Sequence, residues 1–175
     1  MNPDGLLKTY LAYELSRIKS SAGNKANLKS FLLHEVITDM SLALDFDWLV
    51  KPYVSYLSEK GITPGFNTGN LQYLVKKFRE WNIDLNQIVI ATSFNAAGFQ
   101  MNPSRQECER TLTELPKPIV LAISVLAAGY FNPPAAVDYI AGLENLKGVA
   151  AGASSANQAC EFFKLFNERL NNGLK

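Results

Sequence analysis

The feature that most constrains this chain is an alternation of two hydrophobic periods. Five short aliphatic runs, 31–37 (FLLHEVI), 62–66 (ITPGF), 87–91 (QIVIA), 118–125 (PIVLAISV) and 147–151 (KGVAA), alternate with longer stretches whose apolar residues recur every three or four positions. The runs are near-continuously hydrophobic, as strands covered on both faces are, and the spaced stretches read as amphipathic helices. Strand and helix in turn is the βαβα signature of a parallel α/β fold.

The helical stretches carry their own signals. Leu7, Leu11, Leu15 and Ile18 predict a helix over 4–19, ahead of the first strand. Phe46, Leu49, Tyr53, Tyr56 and Leu57 predict one over 46–59, kinked at Pro52 or beginning there. Leu71, Leu74, Val75 and Phe78 mark a helix over 70–81. Segment 104–115 opens with Ser104 and Glu107, and 155–171 with Ser155 and Gln158, both the spacing of a capping box. Asn132 before Pro133 caps 133–143, and Phe162, Phe163, Phe166 and Leu170 form the buried face of the last helix.

Short right-handed crossovers set each strand beside its predecessor, and a sheet that keeps winding in one sense curls toward a barrel. A barrel filled by side chains needs about eight strands, and five cannot close. Two architectures therefore fit residues 1–175 as one domain. One is a partial (β/α)8 TIM barrel of five parallel strands, toward which the opening helix without a preceding strand points. The other is an open, doubly wound, flavodoxin-like sheet with a rearranged strand order.

Several function classes recede on composition. Lys plus Arg number 17 against 16 Asp plus Glu, a net charge of +1, without the basic excess that nucleic acid binding requires. No segment approaches the roughly 18 apolar residues of a membrane span, and the first ten residues have no signal-like apolar region. The expectation is a cytoplasmic protein with two reduced thiols, Cys108 and Cys160. His34 is the one histidine, which removes metal sites built on several imidazoles, and no metal site is expected.

In either architecture ligands bind beyond the carboxyl ends of the strands, so the candidates are the residues after each run. His34 and Asp39 follow the first. His34 is either a satisfied core histidine or a polarising group for a substrate oxygen, with Asp39 setting its tautomer. Asn67 follows the second run and Asn95 the third, at the head of loop 94–104, whose Phe99 and Met101 cover either a ligand or the barrel mouth. Ser124 and Gly129 follow the fourth, and Gly152, Ser154, Ser155 and Gln158 the fifth. These last two loops, AAG before Asn132-Pro133 and GASS before the final helix, read either as ordinary turns and caps or as a phosphate site, with glycine letting amides approach an anion at a helix amino end.

Passages SFLLHEVITD (30–39), EKGITPGFNTGN (59–70), IVIATSFNAAG (88–98) and 122–163 resemble the fourth strand onward of aldo/keto-reductase-like barrels. The resemblance implies His34 as a substrate-polarising histidine and Asn67, Asn95, Gly152, Ser154 and Gln158 as nucleotide contacts, with NADPH as the cofactor. It also implies what is missing: the family's Asp, Tyr and Lys belong to its first three strands, and no Arg or Lys follows Gly152 to meet a 2′-phosphate. The expected function is thus an enzyme or enzyme part that binds a phosphorylated small molecule or nucleotide. The alternative is a non-catalytic module that completes a barrel by forming a homo-oligomer through its sheet edges.

Overall fold

The computed structural model describes residues 3–23, 27–116 and 118–173. The chain runs α1 (Pro3–Ala22), β1 (Ser30–Leu33), α2 (Glu35–Ala43), α3 (Asp47–Glu59), β2 (Thr63–Thr68), α4 (Leu71–Glu80), β3 (Val89–Ser93), α5 (Arg105–Glu114), β4 (Ile119–Ile123), α6 (Pro133–Ala141), β5 (Leu146–Val149) and α7 (Ala156–Gly173). Single 3-10 turns lie at Leu85–Gln87 and Ala127–Gly129. The strands form one sheet in the order β1-β2-β3-β4-β5, and every neighbouring pair is parallel. The α/β alternation read from the sequence is therefore present, and the strand order follows the chain with no point of reversal.

Register assigns the two faces. Leu33, Phe66, Ile90, Val120 and Leu146 lie in one row. Phe66 packs edge-on against Tyr53 of α3 and Phe78 of α4, with ring centroids 5.3 and 4.7 Å away, so this row faces the helices. The Tyr53 hydroxyl lies 2.6 Å from the Phe31 carbonyl and 3.0 Å from that of Gly65, locking α3 to the first two strands. The opposite rows hold Leu32, Gly65, Val89 and Ile119, then Asn67, Ala91, Leu121 and Gly148. This face is open at both sides of the sheet: Leu32 is 39% and Ile119 45% exposed.

Most helices begin where their caps require. Asn70 Oδ1 accepts the Tyr73 amide, Ser104 Oγ that of Glu107, Asn132 Oδ1 that of Ala135 and Ser155 Oγ that of Gln158. In α3 the helix starts at Asp47 and runs through Pro52. Phe162 and Phe166 of α7 are buried, but Phe163 is 47% exposed, contrary to expectation, and Leu170 falls outside the residues whose side chains are described.

The first run departs most from expectation. Residues 31–37 are not one strand: β1 ends at Leu33, His34 caps the next helix, and α2 follows at once. The buried face of α2 is Thr38, Ser41 and Leu42, while Val36, Ile37, Met40 and Leu44 point outward. Its polarity is inverted, and an apolar run read without its neighbours looks like a continuing strand.

Candidate functional site

Because all five strands run one way, the loops after them gather at one end of the sheet. At β1, His34 is extended (φ −62°, ψ 144°) and exposed, not a core residue. Its Nδ1 accepts the Val36 amide at 3.2 Å, which leaves the proton on Nε2 as a donor toward solvent. Asp39 does not orient this ring. Its carboxylate accepts the Thr68 hydroxyl at 2.5 Å and the Gly69 amide at 3.0 Å, tying α2 to the end of β2. The expected His34 and Asp39 pair is thus replaced by two separate roles, because the helix turn at Glu35 carries Asp39 toward β2.

Asn67 follows Phe66 in β2 and pairs in register with Ala91 of β3 on the open face. Its carboxamide makes no hydrogen bond among the described residues, and its Oδ1 is fully shut off from solvent. Neighbouring Thr68 and Asn70 are both engaged, the Thr68 oxygen accepting the Asn70 amide at 3.0 Å.

Loop 94–104 is pinned on both sides. Asn95 is fully buried. Its Oδ1 accepts the Phe99 amide at 2.8 Å, and its Nδ2 donates to the carbonyls of Phe99 and Ser124 at 2.9 and 3.3 Å. Asn95 therefore holds the loop's own backbone, and its side chain has nothing left for a nucleotide. Met101 is buried with its sulfur 3.4 Å from the Asn95 amide, and Phe99 stays 42% exposed. Asn102 donates to the Gly69 carbonyl, and the Ser124 hydroxyl to Gln100 Oε1 at 3.2 Å, so the loop crosses the end of β3 from β2 to β4. Sequence reasoning misses Gln100 and Asn102, since a polar loop shows its anchors only when its neighbours are known.

Beyond β4, Ser124, Ala127, Ala128 and Gly129 have φ of 53°, 46°, 56° and 88°. Three of them are non-glycine residues held in the left-handed region, a conformation that costs roughly 1–2 kcal/mol each. The loop faces that of β5 across a hollow of about 230 Å³ lined by Ser124, Ala128, Gly129, Ala151 and Gly152 among others. A Cβ placed on Gly129 or Gly152 would meet nothing within 4 Å. Past Gly152, Gln158 Oε1 accepts the amide and the hydroxyl of Ser154 at 2.7 and 2.8 Å, and Ser155 caps α7. Ser154, Ser155 and Gln158 are exposed and already engaged with one another, the Gln158 amide included.

An NADPH 2′-phosphate does not fit this end of the chain, since the first basic residue after Gly152 is Lys164, well inside α7 and within 4.0 Å of Glu168. Among the described residues, no group of three or more His, Cys, Asp or Glu is placed to hold a metal ion, and no helix is long and apolar enough to cross a membrane. No family model, no curated protein and no solved structure matches the chain.

Proposed function

We propose that this chain is a partial (β/α)8 unit that binds a small phosphorylated ligand across the carboxyl ends of its strands, its phosphoryl group seated between the loops after β4 and β5. Strand order supports the barrel reading over a flavodoxin-like one, because a doubly wound sheet reverses its order at a switch point and this sheet does not. The observation that carries the ligand reading is the hollow between Gly129 and Gly152. Right-handed Leu126 (φ −87°) followed by left-handed Ala127 is the start of an anion-binding turn, but the Ala127 and Gly129 amides already donate to the Ser124 and Leu126 carbonyls at 2.9 Å each, so an anion here meets the Ala128 amide between them. The amino end of α7 follows the loop on one side of the hollow, whereas α6 opens on Pro133 and Pro134, which carry no N–H, and its Ala135 amide is taken by Asn132. At about 230 Å³ it is smaller than the roughly 300–1,000 Å³ of whole-ligand pockets, so it suits one phosphoryl group and not a nucleotide.

The proposed activity is binding. His34 can donate through Nε2 to a ligand oxygen, but Asp39 is held by β2 and supports no proton relay through the imidazole.

The test uses Gly152. The space around it is open, so Gly152→Asp leaves the fold intact while placing a carboxylate at the anion site. Inorganic phosphate, added well above its dissociation constant, raises the Tm of the wild type by a few degrees, about 2–4 °C for each kcal/mol of binding, and has no effect on G152D. A wild-type melting curve that phosphate and sugar phosphates leave unmoved defeats the proposal.

A second reading, that the open side of the sheet is completed by another copy of the chain, is favoured by where apolar surface is exposed. Most of the exposed large apolar side chains lie on α1, β1, α2 and the start of α3, including Tyr10, Leu32, Val36, Met40 and Trp48. β1 is also an unpaired edge of the sheet, and Leu32 lies on it.

A further inference from the structure

We infer that two copies of the chain join edge to edge through β1, antiparallel about a two-fold axis at Phe31, so that their five-stranded sheets run on as one. This rests on the reading in which a second copy covers the exposed side, and names the strand and symmetry by which it does so. It is independent of the phosphate site.

The two edges of the sheet are chemically unlike. Lys147 is exposed on β5, and the ladder between β5 and β4 is broken by a bulge at Val120 and Leu121. A lysine and a bulge are what keep natural edges from pairing. β1 has neither. Its residues, Ser30–Leu33, carry no charge, they pair with β2 in unbroken register, and Leu32 is exposed.

The ladder to β2 fixes which groups β1 has free. The Thr63 amide donates to the Lys29 carbonyl at 2.9 Å, with Ser30 in register with Thr63. In a parallel pair alternate residues serve one neighbour, so Lys29, Phe31 and Leu33 turn to β2 while Ser30 and Leu32 send their N–H and C=O groups to the open edge. In an antiparallel pair centred on Phe31, Ser30 lies opposite Leu32 of the partner subunit and Leu32 opposite Ser30 of the partner subunit. Residues so placed exchange both of their backbone hydrogen bonds, and the free groups of the edge are all used. Lys29 then lies opposite Leu33 of the partner subunit, so no like charges meet. A junction that uses the same edge twice is complete at two copies, whereas β1 against β5 would leave an edge at each end for further copies.

Area selects a whole second copy over an added peptide strand. A folded monomer of 19.3 kDa exposes roughly 8,500 Å² by the scaling of surface with mass. This chain exposes 10182 Å². The surplus, on the order of 1,700 Å², is about twice the roughly 800 Å² that each partner contributes to a standard interface.

The experiment is light scattering on a sizing column, at high micromolar concentration, with the wild type, L32K, Leu32→Glu and an equimolar mixture of the two variants, each checked by circular dichroism. The wild type gives twice the 19.3 kDa of one chain. Residue 32 of each copy lies on the same face of the junction, diagonally across it, within reach of a long side chain. Like charges therefore part the copies in each variant alone, and opposite charges bring them together in the mixture, which recovers the doubled mass. Pairing of β1 with β5 would instead set the L32E carboxylate near Lys147 of the partner subunit; L32E alone would then stay associated, and the inference fails. A monomeric wild type, or a mixture that stays monomeric while both variants keep the wild-type spectrum, overturns it as well. The thermal shift with inorganic phosphate, read on the same samples, is independent of mass, so a wild type that dimerises without that shift counts against the phosphate site alone.

Discussion

Single side chains in this molecule are best understood by what already holds them. Cys108 is buried in α5, and burial, reinforced by Glu109 and Glu107, pushes its thiol up to about 11, whereas Cys160 is exposed on α7. The thiolate is the reactive form, so a disulfide reagent at pH 8 titrates Cys160 promptly and Cys108 only after denaturation. Two fast thiols in the native protein would contradict that placement. The same shift has a sign for stability. The folded state keeps the Cys108 proton longer than the unfolded chain does, so its contribution is intact below pH 9 and declines as pH rises toward 11. Cys108→Val flattens that alkaline decline in urea titrations across the range.

At the scale of elements, the contact that matters most is invisible in the sequence. Asp39 joins α2 to β2 through the Thr68 hydroxyl and the Gly69 amide. Hydrogen bonds to a charged group contribute roughly 1.5–3 kcal/mol, so Asp39→Ala lowers unfolding free energy by about 2 kcal/mol, and Thr68→Val by about 1 kcal/mol. The double variant loses less than the sum, because the two share one bond. Additive losses in urea melts would show that the 2.5 Å contact carries no coupling. The expected pairing of Asp39 with His34 fails because of α2. Strands β2 to β5 and the capped helices are legible because their apolar periods and their Asn or Ser caps agree, and Ser104 and Asn132 stand where the sequence places them. In α2 the two disagree: Thr38 and Ser41 face the protein, and Val36 and Met40 face out. Reading apolar as inward turns the helix into strand and moves Asp39 beside His34. For the site, the glycines at 129 and 152 are legible as turns, but the orphaned Asn67 carboxamide and the satisfied Asn95 carboxamide look alike in sequence. Only their neighbours separate them: Asn95 sits beneath a loop that returns to it, and Asn67 beside Ala91.

For the whole molecule, two apolar surfaces are left outward, one on α2 and one on the open face of the sheet. A parallel sheet ordinarily has both faces covered. Here one face meets the helices, and the other leaves Leu32 and Ile119 exposed at either side of the sheet. The outward residues of α2, which packs against α3 and α4, add a second apolar surface near the β1 end of the sheet. Such a surface draws a partner, and in a purified sample the available partner is a second copy. Light scattering on a sizing column at high micromolar concentration therefore gives a mass well above the 19.3 kDa of one chain. Leu32→Lys is the variant that isolates this surface. Leu32 lies over Gly65, its Cγ 2.7 Å from where a Cβ on that glycine would be, and the lysine stem can cover the glycine in the same way while its ammonium reaches solvent. The fold is kept and a charge is set beside the edge, which is how natural sheets block pairing. L32K then elutes as a monomer with an unchanged circular dichroism spectrum, and the phosphate shift survives, since the loops proposed to hold phosphate follow β4 and β5 at the far side of the sheet. A wild type that is already monomeric at that concentration would leave the exposed side without a partner of its own kind.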